Sequence, residues 1–392
     1  MSAAPVPMAE VFGGSEVSLL EDPYPIYRRL RREHPVCAVQ TLTEVAHLVT
    51  RHGDVRETLR NDQVFSNRSN ARGISLVMGR TVVEMDGAEH LRHRALVTPA
   101  LAPRALKGDF PRRVEEIAHE IIDGFAGRGR ADLVAEFTFS YPLRVFNEIL
   151  GLPLEDYETI HHKAIELTHI ARDPAKGLAA SAFLKEYLAP IVKQRRSEEP
   201  RDLIGRLVHA EVEGERLSDD DVISFCRLLV IAGAETTYHM MGSVLLGLMS
   251  RPEQLDEVLA DRSLLQAAMD EALRWESPVQ IVTRETTQPT EIAGFALPEA
   301  ASLIVCVGSA NRDESIYADP DRYDLHRDAS EHVAFGFGKH YCAGSRLAYL
   351  EARIGLNALF DRLPDLRLEP DEKCGVVGMA FRGPDRLPVL FG

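Results

Sequence analysis

Phe335-Gly336-Phe337-Gly338-Lys339-His340-Tyr341-Cys342-Ala343-Gly344 decides the reading of this chain, together with the helical pattern SRLAYLEARIGLNALFDRL that runs on from Ser345. One cysteine stands between glycines immediately before a helix. Thiolate is favoured there, because unpaired N–H groups and the helix dipole stabilise negative charge. Lys339, His340 and Arg346 would add to that effect. Gly336, Gly338 and Gly344 let the backbone turn sharply and approach a flat, bulky ligand closely. A cysteine met at random is more often a small buried hydrophobe, which is the reading for Cys37, Cys226, Cys306 and Cys374. A phosphate loop fails on spacing. Tyr341 occupies the third glycine position of GxGxxG, and Gly338-Lys339 is followed by His340 instead of Ser or Thr.

The rest of the chain is consistent with an ordinary globular protein. Hydrophobic residues at 45% and charged residues at 27% over 392 positions support a sizeable core and exclude a disordered chain. Sixty Asp and Glu against 45 Lys and Arg leave a net charge of −15, which disfavours nucleic acid and anionic membrane surfaces as partners. A local basic face remains open. The five scattered cysteines contain no CxxC pair and point to a reducing compartment. Neither a signal-peptide pattern at the N-terminus nor a run of about 18 apolar residues is present, so a cytoplasmic protein without a membrane anchor is expected.

Hydrophobic period predicts helices over 24–33, 89–101, 104–126, 141–150, 154–171, 176–196, 253–275 and 344–362, with β-like stretches at 36–50 and 279–307. The strongest element starts at Ser218, which forms a capping box with Asp221 and opens a proline-free run to about Met249. At 1.5 Å per residue that helix is about 45 Å long and must be central. No repeat or linker divides the chain. The expected architecture is mainly α: one domain over 1–392, with a large helical body, a long central helix and a small β-rich lobe drawn from 36–50, 279–307 and the C-terminus.

At every defining position FGFGKHYCAG resembles FGxGx[HR]xCxG, the haem-binding loop of the cytochrome P450 superfamily, and the chain is similar to its soluble bacterial type. The resemblance implies a P450 fold and non-covalent haem b (iron protoporphyrin IX). Cys342 would be the axial iron ligand, His340 a propionate partner and Phe335 the ring near the sulfur, with Gly336, Ala343 and Gly344 completing the loop. Ala232-Gly233-Ala234-Glu235-Thr236-Thr237 is similar to the family's [AG]Gx[DE]T[TS] segment. It implies that Gly233 leaves room for dioxygen, that the Thr236 hydroxyl bonds back to the Ala232 carbonyl and loosens the helix, and that Glu235 and Thr236 deliver protons. His90 and Arg94 match the family's HxxxR pattern, and Arg284 after Val279-Gln280-Ile281-Val282 matches its propionate arginine; with His340 these would balance two carboxylates. Glu271 and Arg274 form the ExxR pair on one helical face, and Asp319-Pro320-Asp321-Arg322-Tyr323 offers Arg322 as its third member, with Arg327 close by. These motifs follow in family order.

The implied activity is monooxygenation, inserting one oxygen atom of O2 into a small hydrophobic molecule such as a terpenoid, steroid, fatty acid or secondary metabolite. Electrons from NAD(P)H would come through a separate ferredoxin or flavodoxin and its reductase. Arg92, Arg112, Arg113, Lys339 and Arg346 would dock that acidic partner. Substrate contacts would fall on the loop near 66–85 and on Ile231, Ala232, Thr236, Val279, Ile281, Val282 and Met379, with Arg68 and Arg72 available for an acidic group. A peroxide-driven or atypical enzyme, or a haem sensor or carrier, are the alternatives; neither needs the intact Glu235 and Thr236.

Overall fold

Residues 6–7, 11, 22–41, 44–102, 109–168, 170 and 173–392 are described in this computed structural model. Strands β1 (Val6–Pro7), β2 (Val36–Gln40), β3 (Val45–Val49), β4 (Phe65–Ser66), β5 (Ile281–Thr286) and β6 (Ser302–Cys306) form one sheet in the order β1-β2-β3-β6-β5-β4. β2 and β3 make the predicted hairpin, while β6 runs parallel to β3 and antiparallel to β5. The β-branched and apolar residues of the two predicted β stretches therefore meet across about 250 residues of chain. Helix α1 (Tyr24–Glu33) buries Tyr24, Tyr27 and Leu30, at helical spacing, against one face of this sheet.

The helical body is built from α2 (Gly87–Leu101), α3 (Ser140–Leu150), α4 (Pro174–Arg195), α5 (Asp219–Met249), α6 (Leu265–Trp275) and α7 (Ser345–Arg362), among others. Ser218 caps α5 as expected: its hydroxyl accepts from the Asp221 N–H at 3.1 Å, and the Asp221 carboxylate accepts from the Ser218 N–H at 3.0 Å. Both faces of this 31-residue helix are buried along much of its length, because helices pack around it on several sides. Met241, Val244, Leu245 and Leu248 of α5 join Ile149 and Leu150 of α3 and Leu356 and Leu359 of α7 in the main core.

Four expectations need correction. The predicted helix 253–275 is two helices, Pro252–Ala260 and α6, because Asp261 leaves helical backbone geometry and its carboxylate caps the Ser263 N–H at 2.9 Å. The helix expected over 104–126 runs from Phe110 to Asp123, and 104–108 lie outside the described residues. The C-terminal strand Pro388–Leu390 does not join the β lobe; it pairs with Arg130–Asp132 and Arg367–Leu368 in a separate sheet. The helix expected over 154–171 is Tyr157–Thr168, preceded by a short 3-10 turn. Among the described residues no helix is long and apolar enough to cross a membrane.

Candidate active site

Two glycines of the cysteine loop have left-handed backbone, Gly336 at φ +74° and Gly338 at φ +77°, and a Cβ on Gly338 would meet the Arg60 backbone at 3.0 Å. The turn they make returns the Cys342 N–H to the Phe335 carbonyl at 2.8 Å. Gly344 is the N-cap of α7, and a Cβ there would stand 4.0 Å from the Cys342 sulfur. Phe335 lies on the main core beside Ala343, its ring edge-on to Tyr349 at 5.2 Å.

Cys342 is solvent-accessible, yet burial still pushes its thiol upward. What favours the thiolate is the N–H groups of Gly344 and Ser345 and the Arg94 guanidinium. The expected help from Lys339 is absent, because its ammonium is paired with Asp62 at 3.0 Å, and Arg346 points to solvent.

His90, Arg94, Arg284 and His340 converge beside this loop. The His90 and His340 rings stack at 3.9 Å; both nitrogens of buried His90 and Nε2 of His340 have no hydrogen-bond partner. Asp86 approaches His340 only to 3.8 Å, and itself accepts from the Ser66 hydroxyl and the Asn67 backbone. Burial, with His90 and the Arg284 and Arg94 guanidiniums around it, lowers His340 to about 3. Arg284 is 5% exposed, donates to the Thr283 carbonyl at 2.7 Å and is lowered to about 10 by burial. Arg94 donates to the Tyr341 carbonyl. Buried cations and orphaned imidazole nitrogens of this kind cost free energy unless an anion completes them. A group carrying two carboxylates and a thiolate-binding metal fits this donor set.

On α5, the Thr236 hydroxyl donates to the Ala232 carbonyl at 2.7 Å as expected, but the helix stays α-helical through this point. Glu235 has a buried, unpartnered Oε2, and burial raises its carboxyl to about 7. The reading of Gly233 is corrected. A Cβ there would stand 1.8 Å from the Phe146 ring, so the glycine admits α3; it is Ala232 that is exposed. Nothing in the local sequence marks Phe146, which lies nearly 90 residues upstream. Gly233→Ala should therefore destabilise the protein by about 1–3 kcal/mol through overpacking, and Phe146→Leu in the same chain should restore much of the loss in a urea titration.

Glu271 and Arg274 are fully buried and bidentate, with N···O distances of 2.7 and 2.8 Å. The third member is Arg327 and not Arg322. The Arg327 Nε reaches Glu271 Oε1 at 3.1 Å, whereas Arg322 is exposed and gives only its carbonyl to Arg274, at 3.2 Å. The loop folds so that the backbone of 320–322 caps the guanidinium, which turns the Arg322 side chain outward.

The proposed lining residues do not share one surface. Ile231 is buried in the main core. Ile281 and Val282 are neighbours on β5 and face opposite sides of the sheet, Ile281 toward the Tyr24 cluster with Met379 and Val282 toward the cluster of Leu303 and Val305. Val279 bridges to Phe381. Arg68 and Arg72 are not available for an acidic ligand, since both hold the buried Glu285 carboxylate, at 2.5 and 2.6 Å. Of the expected docking cations, Arg112 and Arg113 pair with acidic residues of their own helix, and Arg92 and Arg346 are exposed without an ion-pair partner among the described residues.

Residues 167–373 match the family described as Cytochrome P450. Cytochrome P450 107B1 of Saccharopolyspora erythraea is 35% identical over 95% of this chain and 96% of its own. The ligand-free structure of cytochrome P450 TbtJ1 superposes with a TM-score of 0.87 at 33% identity, covering 96% of this chain and all of that one. CYP109E1 from Bacillus megaterium, solved in complex with testosterone, gives 0.85 at 27% identity over 95% of this chain and 99% of its own. The chain belongs to the cytochrome P450 family. It is an oxidoreductase, a monooxygenase whose cofactor is haem b.

Proposed function

We propose that the Cys342 thiolate would hold the haem iron, that His90, Arg94, Arg284 and His340 would hold its propionates, and that Glu235 and Thr236 would handle protons. The observation that carries this reading is the convergence of His90 and His340, whose buried ring nitrogens lack partners, with buried Arg284 beside one accessible cysteine. When bound, the haem supplies oxygen activation, and the cysteine thiolate, by donating electron density, favours O–O cleavage. The chain's own residues do the rest. Gly344 and Ser345 hold the sulfur with their N–H groups, and the Glu271–Arg274–Arg327 cluster fixes the loop that precedes it. Thr236 keeps its hydroxyl oriented by donating to Ala232, which leaves its oxygen free to accept a proton donor's hydrogen bond. Glu235, with a carboxyl near 7, can both hold and release a proton at neutral pH.

We infer one domain over 1–392, acting in the cytoplasm on a small hydrophobic molecule: a terpenoid, steroid, fatty acid or secondary metabolite. Testosterone in the Bacillus megaterium structure supports a steroid-sized apolar substrate. Electrons from NAD(P)H come through a ferredoxin or flavodoxin and its reductase, docked on Arg92 and Arg346. With surrogate redox proteins, Thr236→Ala should keep consuming NADPH while product per NADPH falls by about tenfold or more; unchanged coupling would remove Thr236 from the reaction. Because Glu235 gives up protons only while neutral, turnover of the parent chain should decline as pH rises through about 7, and Glu235→Gln should lose that decline.

A further inference from the structure

We propose that a buried cluster of Tyr24, Glu276, Arg312 and Arg382 is a positioning device that sets substrate specificity, by holding the turn 378–382 against residues 278–281. The proposal rests on the reading of Met379 and Ile281 as substrate lining.

The four residues come from distant parts of the chain and are each no more than 6% exposed. Glu276, immediately after α6, accepts the Tyr24 phenol at 2.5 Å and Arg382 Nε at 2.8 Å on one oxygen, and faces Arg312 at 3.4 Å with the other. The Arg312 guanidinium lies 3.4 Å above the centre of the Tyr24 ring and donates to the Trp275 carbonyl at 2.6 Å. Gln280 adds a donor to the Tyr24 oxygen at 3.1 Å. Arg382 carries this order into the turn. Its Nη1 reaches the Gly378 carbonyl at 3.2 Å, and its backbone N–H reaches Pro278 O at 2.9 Å, while Gln280 N–H donates to Ala380 O at 2.9 Å. Gly378 has φ +114°, and a Cβ there would meet the Phe381 carbonyl at 1.9 Å, so the turn is closed tightly enough to exclude any other residue. Met379, at its tip, packs with Ile281 on the same cluster as Tyr24 and Tyr27.

Stability alone does not call for such a cluster, since well-packed apolar residues of similar volume generally serve a core as well or better than buried ions. What charged hydrogen bonds add is direction. Each fixes both the distance and the angle of its partner, and together they lock the backbone that presents Met379. A wall displaced by about 1 Å is enough to change which carbon of a bound molecule faces the reacting centre. Tyr24, in α1 against the sheet, thereby acts through Glu276 and Arg382 on a wall more than 350 residues later in the chain.

Tyr24→Phe removes only the hydroxyl and keeps the ring beneath Arg312; Arg382→Lys keeps the charge but loses the second donor. Both are compared with the parent as haem-loaded full chains, using the Soret shift to titrate imidazole and 4-phenylimidazole. Both probes would ligate the same iron, so the ratio of their affinities reports the pocket wall. The expected result is a change of that ratio by threefold or more in both variants, with faster deuterium uptake confined to peptides spanning 376–384 and an unchanged carbon monoxide difference band. A ratio within 1.5-fold of the parent in Tyr24→Phe, or uptake unchanged over 376–384, overturns the proposal even if Arg382→Lys fails to fold. Met379→Ala separates the two readings. If it alone shifts the ratio, the lining stands and the positioning role falls; if it shifts nothing, the lining reading falls first and takes the proposal with it.

Discussion

Cys342→Ala should bring monooxygenase turnover to background and erase the red-shifted carbon monoxide difference band, while the polypeptide keeps its helical circular dichroism. The separation of function from folding follows from the site. Cys342 is solvent-accessible and is not a member of the hydrophobic core, and its sulfur is met by the N–H groups of Gly344 and Ser345, so removing it opens no core cavity. The return of the chain at this point is made by Cys342 N–H to Phe335 O and by the left-handed glycines, none of which the substitution alters. Cys226→Ala and Cys306→Ala are the controls. Both are fully buried, and burial raises both thiols strongly, so they should lose stability and leave the band in place. A band that survives in Cys342→Ala would overturn the ligand assignment.

Arg274→Ala should be the most destabilising single substitution in the helical body. It strands the Glu271 carboxylate, 0% exposed, with Arg327 and one backbone N–H as its remaining partners, and it also orphans the carbonyls of Asn311 and Pro320. Breaking a buried pair in this way costs about 3–5 kcal/mol, a large part of the 5–15 kcal/mol that holds a typical protein folded. Urea unfolding should show a much lower midpoint at an unchanged slope. Arg274→Lys should rescue little, because an ammonium cannot make the bidentate contact. Arg327→Ala should cost about 1–3 kcal/mol, and Arg322→Ala, at an exposed side chain, about 0.5 kcal/mol or less. Equal effects for Arg322 and Arg327 would contradict the geometry around Glu271.

Local chemistry was legible wherever its partners are near in sequence. The Ser218 capping box, the Thr236 bond to Ala232 and the bidentate Glu271–Arg274 pair all join residues three or four apart, a distance that helical geometry alone brings into contact. The opposite faces of Ile281 and Val282 could also have been read, since strand side chains alternate. Other features had no local signal. Phe146 fills the space that Gly233 leaves, Glu285 engages Arg68 and Arg72, and Asp62 neutralises Lys339, each across scores to hundreds of residues.

By itself the order of residues determined the helical body, the central helix, the hairpin and the glycine-flanked cysteine ahead of a helix, because periodicity, capping and turn chemistry act over a few positions. Tertiary structure alone decided which arginine completes the Glu271 cluster, which cations are already spent on neighbouring carboxylates, and how Tyr24, Glu276, Arg312 and Arg382 come together. Those outcomes depend on which charges are desolvated side by side, and desolvation is set by packing between distant segments.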